Sequence, residues 1–562
     1  MNRSAGQSLV SGASGTILGS VAAGAGSTII VGSNGTPGLL TVSQLALTNC
    51  TNVMVLGSDP NDQSGATSSI IQDYGSLTLS GTNTFQISPG GSGVLNTTTP
   101  YTILQYGGGL TGGLANLRVV STSPLYTLTL LDPRTTAPYL QVQVAGAPQT
   151  LIWKGGAVSG PNVWDQGTTN WLNTVTSHYD KFYNLDPVIF DDSATTNVVN
   201  ITQAVTSSTT FSNMNLNYTL VGTGPLSGTL DQEGTGTVTL ALSSFPLVSG
   251  IINNAGTLVL NEAVTGSYTI GIPFSDNGGG LGSIIQAGSN TVQLTGNNLG
   301  YYGTLAVTNG ILQYNSANAL GANPTLYVTN GGTLDFNDIS VGIRTLAVSG
   351  AGYNGLGALY DSSANTSPHW VIANLTLLGD TVFGGNGRWD FVGSGGTMNG
   401  NGFNLTKVGA GAVWLHPDND TGLGNIDITA GTLGFSYYTG LGDPAKTLTV
   451  EPGAVFYIWG VWNTLNKVLV LNNNAMFSSG TAAGSSPNNN FAGPVTFVGT
   501  STFNPSSADL YLWNTLGGTG GFIKAGASAL WLNGTNTYSG PTIINGNVGS
   551  VIVGVNSSLG SS

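Results

Sequence analysis

The stretch from Gly521 to Gly560 constrains this chain most, because it is a short unit that returns upstream at nearly constant distance. It opens on Lys524, passes through Leu530-Trp531-Leu532, Gly534, Asn536, Tyr538 and Gly540, and closes on Leu559-Gly560. Apolar residues at alternate positions, cut by Gly, Thr and Asn, write short strands joined by tight turns. The same order recurs from Lys407 through Val413-Trp414-Leu415 to Leu441-Gly442, and from Gln286 through Val292-Gln293-Leu294 to Leu320-Gly321. The opening residues 286, 407 and 524 stand 121 and 117 apart, and the closing leucines 320, 441 and 559 stand 121 and 118 apart. Two anchors drifting together define a super-repeat of about 120 residues, which points to a solenoid before any other fold. A further copy lies near Leu77, Leu79, Gly81 and Phe85.

A shorter period sits inside the long one. Gly-Thr-Leu recurs at Gly228, Gly256, Gly303, Gly332 and Gly431, and the early gaps fit one or two coils of roughly 20 to 30 residues. Each coil would add about 4.8 Å along the axis, the strand spacing within a sheet. Gly and β-branched residues interrupt every candidate helix. The expected fold is therefore all-β, a β-solenoid whose inward Val, Leu and Ile stack from coil to coil. Solenoids lengthen without a size limit on the core, so 562 residues do not force a division by length. Style divides it instead. Residues 147–195 carry Trp153, Trp164 and Trp171 and a local rise in charge, and they read as a junction or cap. An N-terminal array spans 1–146 and a C-terminal array with the long repeat spans 196–562.

The pattern around Lys524, Leu532, Gly534, Asn536, Tyr538, Gly540 and Asn545-Gly546, with Gly431-Thr432-Leu433 in the preceding copy, resembles the autotransporter-associated β-strand repeat of bacterial secreted passenger domains. The wording around Trp153, Trp164-Asp165, Trp171 and Val188 to Asp192 is similar to a junction between arrays in that family. The resemblance implies a right-handed parallel β-helix on a large cell-surface protein, and it implies architecture and location more than activity. The membrane barrel that ends a true autotransporter does not follow in this sequence.

Composition removes several functions. Eleven Lys+Arg against 24 Asp+Glu leave a net charge of −13, with no basic stripe to neutralise phosphates, so nucleic acid is set aside as a partner. A single cysteine, Cys50, cannot make an intramolecular disulfide or a multi-cysteine zinc site and reads as a small buried residue. No window has the roughly 18 apolar residues of a membrane helix. Residues 1–30 lack a signal-peptide pattern, and the end at Ser562 just after a repeat-closing Leu-Gly reads as the edge of a segment of something longer.

Candidate chemistry is sparse. Gln293, Trp414 and Trp531 stand seven residues after each opening residue, between apolar neighbours, so alternation places them on the outer face. Exposed indoles there could stack on sugar rings, which makes Trp414 and Trp531 the candidate carbohydrate-binding residues, against packing under a loop. Asp186, Asp191 and Asp192, Asp418 and Asp420, and Asp59 and Asp62 lack calcium-loop spacing and read as turn residues, leaving no expected metal site. His178, His369 and His416 have no nucleophile motif beside them, and Arg388-Trp389-Asp390 reads as a local ion pair. The sequence thus describes a structural or adhesive extracellular rod, not an enzyme, that needs no cofactor. Its expected partners are itself, end to end or laterally in a filament, or surface glycans. A carbohydrate-binding or polysaccharide-degrading protein on the same scaffold is the alternative.

Overall fold

A computed structural model describes the chain except residues 1, 4–6, 34, 91–93, 245–246, 262–265, 323–324, 341–344, 369, 392–395, 417–418, 486–488, 547, 555–558 and 561–562. The described residues form strands and two short 3-10 turns, Leu114–Asn116 and Tyr353–Gly355, with no α-helix. The fold is a parallel β-solenoid in two compact units, Met1–Ile152 with Gln166–Val188, and Trp153–Asp165 with Ile189–Ser562.

The alternation in each strand is what closes a coil. In Thr237–Leu242, Val238, Leu240 and Leu242 are buried while the threonines and Ala241 between them are half-buried. Parallel pairing then sets each inward residue on its counterpart one coil away. Leu220 meets Leu240, which meets Leu260, so positions 20 residues apart build one column of the core. Later steps are 21 (Ile284 to Leu305), 29 (Thr345 to Asn374) and 26 (Leu469 to Val495), with the extra residues absorbed in turns. Every such column adds buried apolar surface and backbone hydrogen bonds with each coil, so stability accumulates by stacking.

In the first unit the coils pair parallel through strands such as Ser14–Ala23, Leu39–Thr48 and Ile70–Asp73, over a core that includes Cys50, Met54, Phe85 and Tyr101. Its last pairings depart from the parallel expectation. Tyr139–Ala145 runs antiparallel to both Tyr101–Tyr106 and Thr127–Leu130, still with Leu140, Val142 and Val144 inward. The reversed strand covers the edge of Tyr101–Tyr106, which a further parallel coil would otherwise occupy. Trp171 and Phe182 pack at 5.9 Å in this unit. At the start of the second unit, Phe190 is enclosed by Trp153, Trp164, Phe211 and Tyr218 at 4.7–5.9 Å, so the tryptophans that stand out in the sequence are core residues.

Each coil of the second unit turns through three faces. Around residue 400 these are Thr397–Asn399, Leu405–Lys407 and Ala412–Leu415, and the chain then returns to the first face at Asn419–Thr421. Near the C-terminus Leu516–Gly518 continues the face of Leu405–Lys407, Phe522–Lys524 continues that of Ala412–Leu415, and Leu530–Leu532 follows on the remaining face. The 120-residue super-repeat does not return to its own face. Gln286 ends a strand on the face later continued by Thr397–Asn399, Lys407 ends one on the next face, and Lys524 ends one on the third. Five full coils plus one face separate successive copies.

The residue that opens each copy points into the core and closes a corner there. Lys407 Nζ donates to the carbonyls of Val408, Gly409 and Ala430 at 2.7, 2.9 and 3.3 Å. Lys524 Nζ donates to Ala525 and Gly526 at 2.6 and 2.9 Å, and Gln286 Nε2 to Gly288 at 2.9 Å. Gln232 repeats the device on Gly234 and Gly236 at 2.8 and 3.1 Å. Turn carbonyls aimed inward have no water to bond, and a long polar side chain satisfies them.

Candidate ligand-binding site

Five successive strands on one face of the second unit, Trp370–Ile372, Arg388–Phe391, Ala412–Leu415, Thr432–Ser436 and Val455–Trp459, build an aromatic surface feature. Their inward residues are apolar and buried: Trp389 and Phe391, Val413 and Leu415, Leu433 and Phe435, Phe456 and Ile458. Alternation therefore sends Arg388, Asp390, Trp414, Gly434, Ser436, Tyr457 and Trp459 to the outer side. The register places Trp370 beside Asp390, Asp390 beside Trp414, Trp414 beside Gly434 and Gly434 beside Tyr457.

Gly434 is what lets the rings lie down. A β-carbon there would come within 2.4 Å of Trp414 Cδ2 and Cε3, so the indole rests on the glycine backbone. Tyr457 meets that indole edge-on at 5.1 Å, and the Arg388 guanidinium lies 4.9 Å from its centroid. Gly480 serves Tyr457 and Trp459 in the same way, with Tyr457 Oη and Trp459 Cζ3 at 2.6 and 2.8 Å from its would-be β-carbon. His416 stacks near-parallel to Trp414 at 6.1 Å and tilts against Trp370 and Tyr437 at 5.4 and 5.8 Å. Trp370 and Tyr437 form the open rim, 41% and 42% exposed. Tyr437 holds φ at 58°, a left-handed conformation unfavourable for an aromatic residue. Together with Pro368, these groups enclose a cavity of about 340 Å³.

Its charges are internally matched. Arg388 grips Asp390 in a fork, Nε to Oδ1 at 2.8 Å and Nη2 to Oδ2 at 2.7 Å, with Asp390 fully buried. Three guanidinium N–H groups remain beyond that fork. His416 Nδ1 bonds Ser436 Oγ, and His416 Nε2 lies 3.5 Å from Asp390 Oδ2. Serine, histidine and aspartate in line resemble a hydrolytic relay, but Ser436 is fully buried and so presents no nucleophile to the cavity. The arrangement holds rings and a cation in place, which suits binding.

Trp414 lies on the outer side of its strand, as alternation places it, but it is not exposed there. The indole is only 7% exposed, because Arg388 and Tyr457 cover it. Trp531 is half-buried on a different sheet, stacked on Tyr511 at 5.4 Å and 17°, with Nε1 donating to Asp509 Oδ2 at 3.2 Å. The two tryptophans therefore occupy different faces. Gln293, the third member, accepts from the Thr269 hydroxyl and donates to Gln313 Oε1. Sequence reading missed Trp370, Tyr437, Tyr457 and Trp459, which belong to no repeat anchor, and also Trp513, an exposed indole bonded to Asn490 Oδ1 at 2.9 Å.

The acidic candidates are structural in their contacts. Asp62 accepts N–H bonds from Ser64, Thr67 and Ser68; burial acts to raise its carboxyl, but these bonds outweigh it and hold it below the usual range. Asp59 accepts from the Asn61 N–H at 2.9 Å. Asp192 accepts from the backbones of Leu216, Asn215 and Met214, which lower it. Asp191 bonds the Ser193 N–H at 2.9 Å. Asp420 is buried and accepts from Thr439, Gly440 and Leu441, with burial pushing it up. Asp186 takes the N–H groups of Gln149 and Tyr183, and burial raises it to about 6. His178 lies exposed in the turn after Trp171–Asn173, Cys50 is buried beside Asn83, and His369 and Asp418 lie outside the described residues. Among the described residues, no group of three or more His, Cys, Asp and Glu could hold a metal ion, and no helix is long and apolar enough to cross a membrane.

No family model matches the chain, and no solved structure matches it significantly. Among curated proteins it is similar to the adhesin BmaC autotransporter of Brucella suis biovar 1 (strain 1330), at 27% identity over 315 residues. The match covers 52% of this chain and 8% of that protein, so the chain spans a small part of the relative's length. Sequence similarity and the β-solenoid together make this an autotransporter-passenger-like chain.

Proposed function

We propose that this chain is an adhesive β-solenoid segment of a bacterial surface protein, displayed outside the cell, and that the Trp370–Trp459 face is its contact surface. The similarity to an autotransporter adhesin carries this reading. A solenoid of stacked coils supplies stiffness without a cofactor, and the cavity supplies one place where exposed aromatic rim, buried ion pair and strained backbone meet. The finer assignments are part of the proposal: membership of the autotransporter-associated repeat family, and work by binding rather than catalysis.

The test is adhesion itself. Beads coated with the purified chain are expected to attach to epithelial cells in numbers well above beads coated with an inert protein. Attachment equal to that of the inert beads would sink the reading. Sedimentation of the same preparation addresses the filament variant: boundaries that grow with concentration would place self-association beside adhesion, and a single monomeric boundary would remove it.

A further inference from the structure

We infer that the cavity at Trp370, Arg388, Trp414, Tyr437 and Tyr457 is a subsite for a neutral glycan, taking pyranose rings against its aromatic walls. The inference rests on the adhesive reading for its biological role and on the following geometry for its chemistry.

A ligand for this cavity must offer flat apolar faces and polar edges. Trp370 and Tyr437 stand at the mouth as the exposed rings, and the Trp414 indole, 7% exposed, lies flat beneath on Gly434 with Arg388 and Tyr457 against it. Sugar rings carry C–H groups on their faces and hydroxyls at their edges, so they match aromatic walls set with hydrogen-bonding groups. The edge partners are present: three N–H groups of Arg388 outside its fork to Asp390, and the hydroxyl of Tyr437 at the rim. Since Asp390 already balances Arg388, the site offers an oriented donor set with little net charge. A polyanion would gain little there, and a purely apolar ligand would strand the guanidinium donors without partners. The volume of about 340 Å³ suits a short stretch of chain. Tyr437 is held at φ 58° by its surroundings, a strain that persists where a side chain has to be presented in one place.

The experiment titrates the intact purified chain with neutral hexasaccharides of glucose, mannose and galactose, and with a hexamer of galacturonic acid as the charged comparison. Tryptophan fluorescence reports binding. At least one neutral hexasaccharide is expected to give a saturable change, with the galacturonate hexamer at least ten-fold weaker. Trp370→Ala and Tyr437→Gly are each expected to weaken binding ten-fold or more. Glycine accepts the left-handed φ, so Tyr437→Gly removes the ring without burdening the backbone, and a wild-type unfolding midpoint in both variants checks that the coil stands. The proposal is overturned if no neutral hexasaccharide binds, if the galacturonate hexamer binds as well or better, or if both variants bind like wild type. Cell attachment without saccharide binding would leave the adhesive reading intact and remove this one, and saccharide binding without attachment would do the reverse.

Discussion

Raising the pH from 7 to 9 should stabilise the second unit, because three lysines, Lys407, Lys467 and Lys524, are buried in its interior. Lys407 and Lys467 are fully buried, and burial pulls their ammonium groups down from 10.5 to about 8. Both are held by backbone carbonyls, Lys467 by those of Gly424, Leu441 and Asp443, each at 2.9 Å. A depressed pKa in the folded state means that the unfolded chain binds more protons between pH 8 and 10.5, so stability rises across that window and is flat below it. For a folded value of about 8, Lys407 and Lys467 each contribute a gain on the order of 1 kcal/mol between pH 7 and 9, and Lys524, also drawn down by burial, adds in the same direction. Burial pushes the thiol of Cys50, in the first unit, up, which acts in the opposite direction near pH 9. That opposing effect is common to wild type and lysine variants and cancels in their difference. The assay is urea unfolding followed by tryptophan fluorescence and circular dichroism at both pH values, for wild type, Lys407→Met and Lys467→Met. Each variant should lose its own share of the alkaline gain and keep that of the other buried lysines, Lys524 among them, whatever its stability at pH 7. A wild-type midpoint that does not move, or variants that keep the full gain, would refute the account of these lysines as charged groups desolvated within the core.

Other outcomes follow from the packing. Phe477 stacks on Phe456 at 4.6 Å and meets Phe491 at 5.5 Å, so Phe477→Ala should cost about 3–5 kcal/mol, and hydrogen exchange should show the loosening confined to adjacent coils. Gly434→Ala should cost about 1–3 kcal/mol by driving a methyl group into the Trp414 indole, with a shifted fluorescence maximum. Gly453 has φ 82° and open space around it, so Gly453→Ala should cost only the left-handed penalty of about 1–2 kcal/mol and leave fluorescence unchanged. Asp186, raised to about 6, keeps its proton in the folded state after the unfolded chain has released it; stability of the first unit should fall as pH rises from 4 to 6. Thermal melts across that range should lose this slope in Asp186→Asn.

The fold was legible because it is written in a local code. Val413 and Leu415 flanking Trp414, or Leu530 and Leu532 flanking Trp531, state which way each strand faces. The Gly-Thr-Leu triplets mislead on coil length: those at Gly256 and Gly303 lie two coils apart on one face, whereas Gly228 and Gly332 sit on other faces, so their gaps each span a coil plus part of the next. The site was much less legible, since it forms across coils. Asp390 and Trp414 become neighbours through a pairing 24 residues apart, and Trp414 and Tyr457 through two more steps of the ladder. Gly434, which decides how the rings lie, looks in the sequence like any other glycine of a Gly-rich chain. The lysine and glutamine that open each repeat were visible as anchors, but their work depends on carbonyls brought inward by the corner turns.

The extra face in each super-repeat has a consequence for how such a chain diversifies. Had the duplicated block been a whole number of coils, every copy of a given residue would lie in one line along the same side, and a gain at that position would multiply along that line. Here positions 293, 414 and 531 are carried to three different sides, where one is an amide rung, one the floor of a cavity and one an indole stacked on Tyr511. Copies that began alike meet different neighbours, so selection can act on each alone. A further duplication of the same length would bring its counterpart of Gln293 back to the original side, and the set would start again.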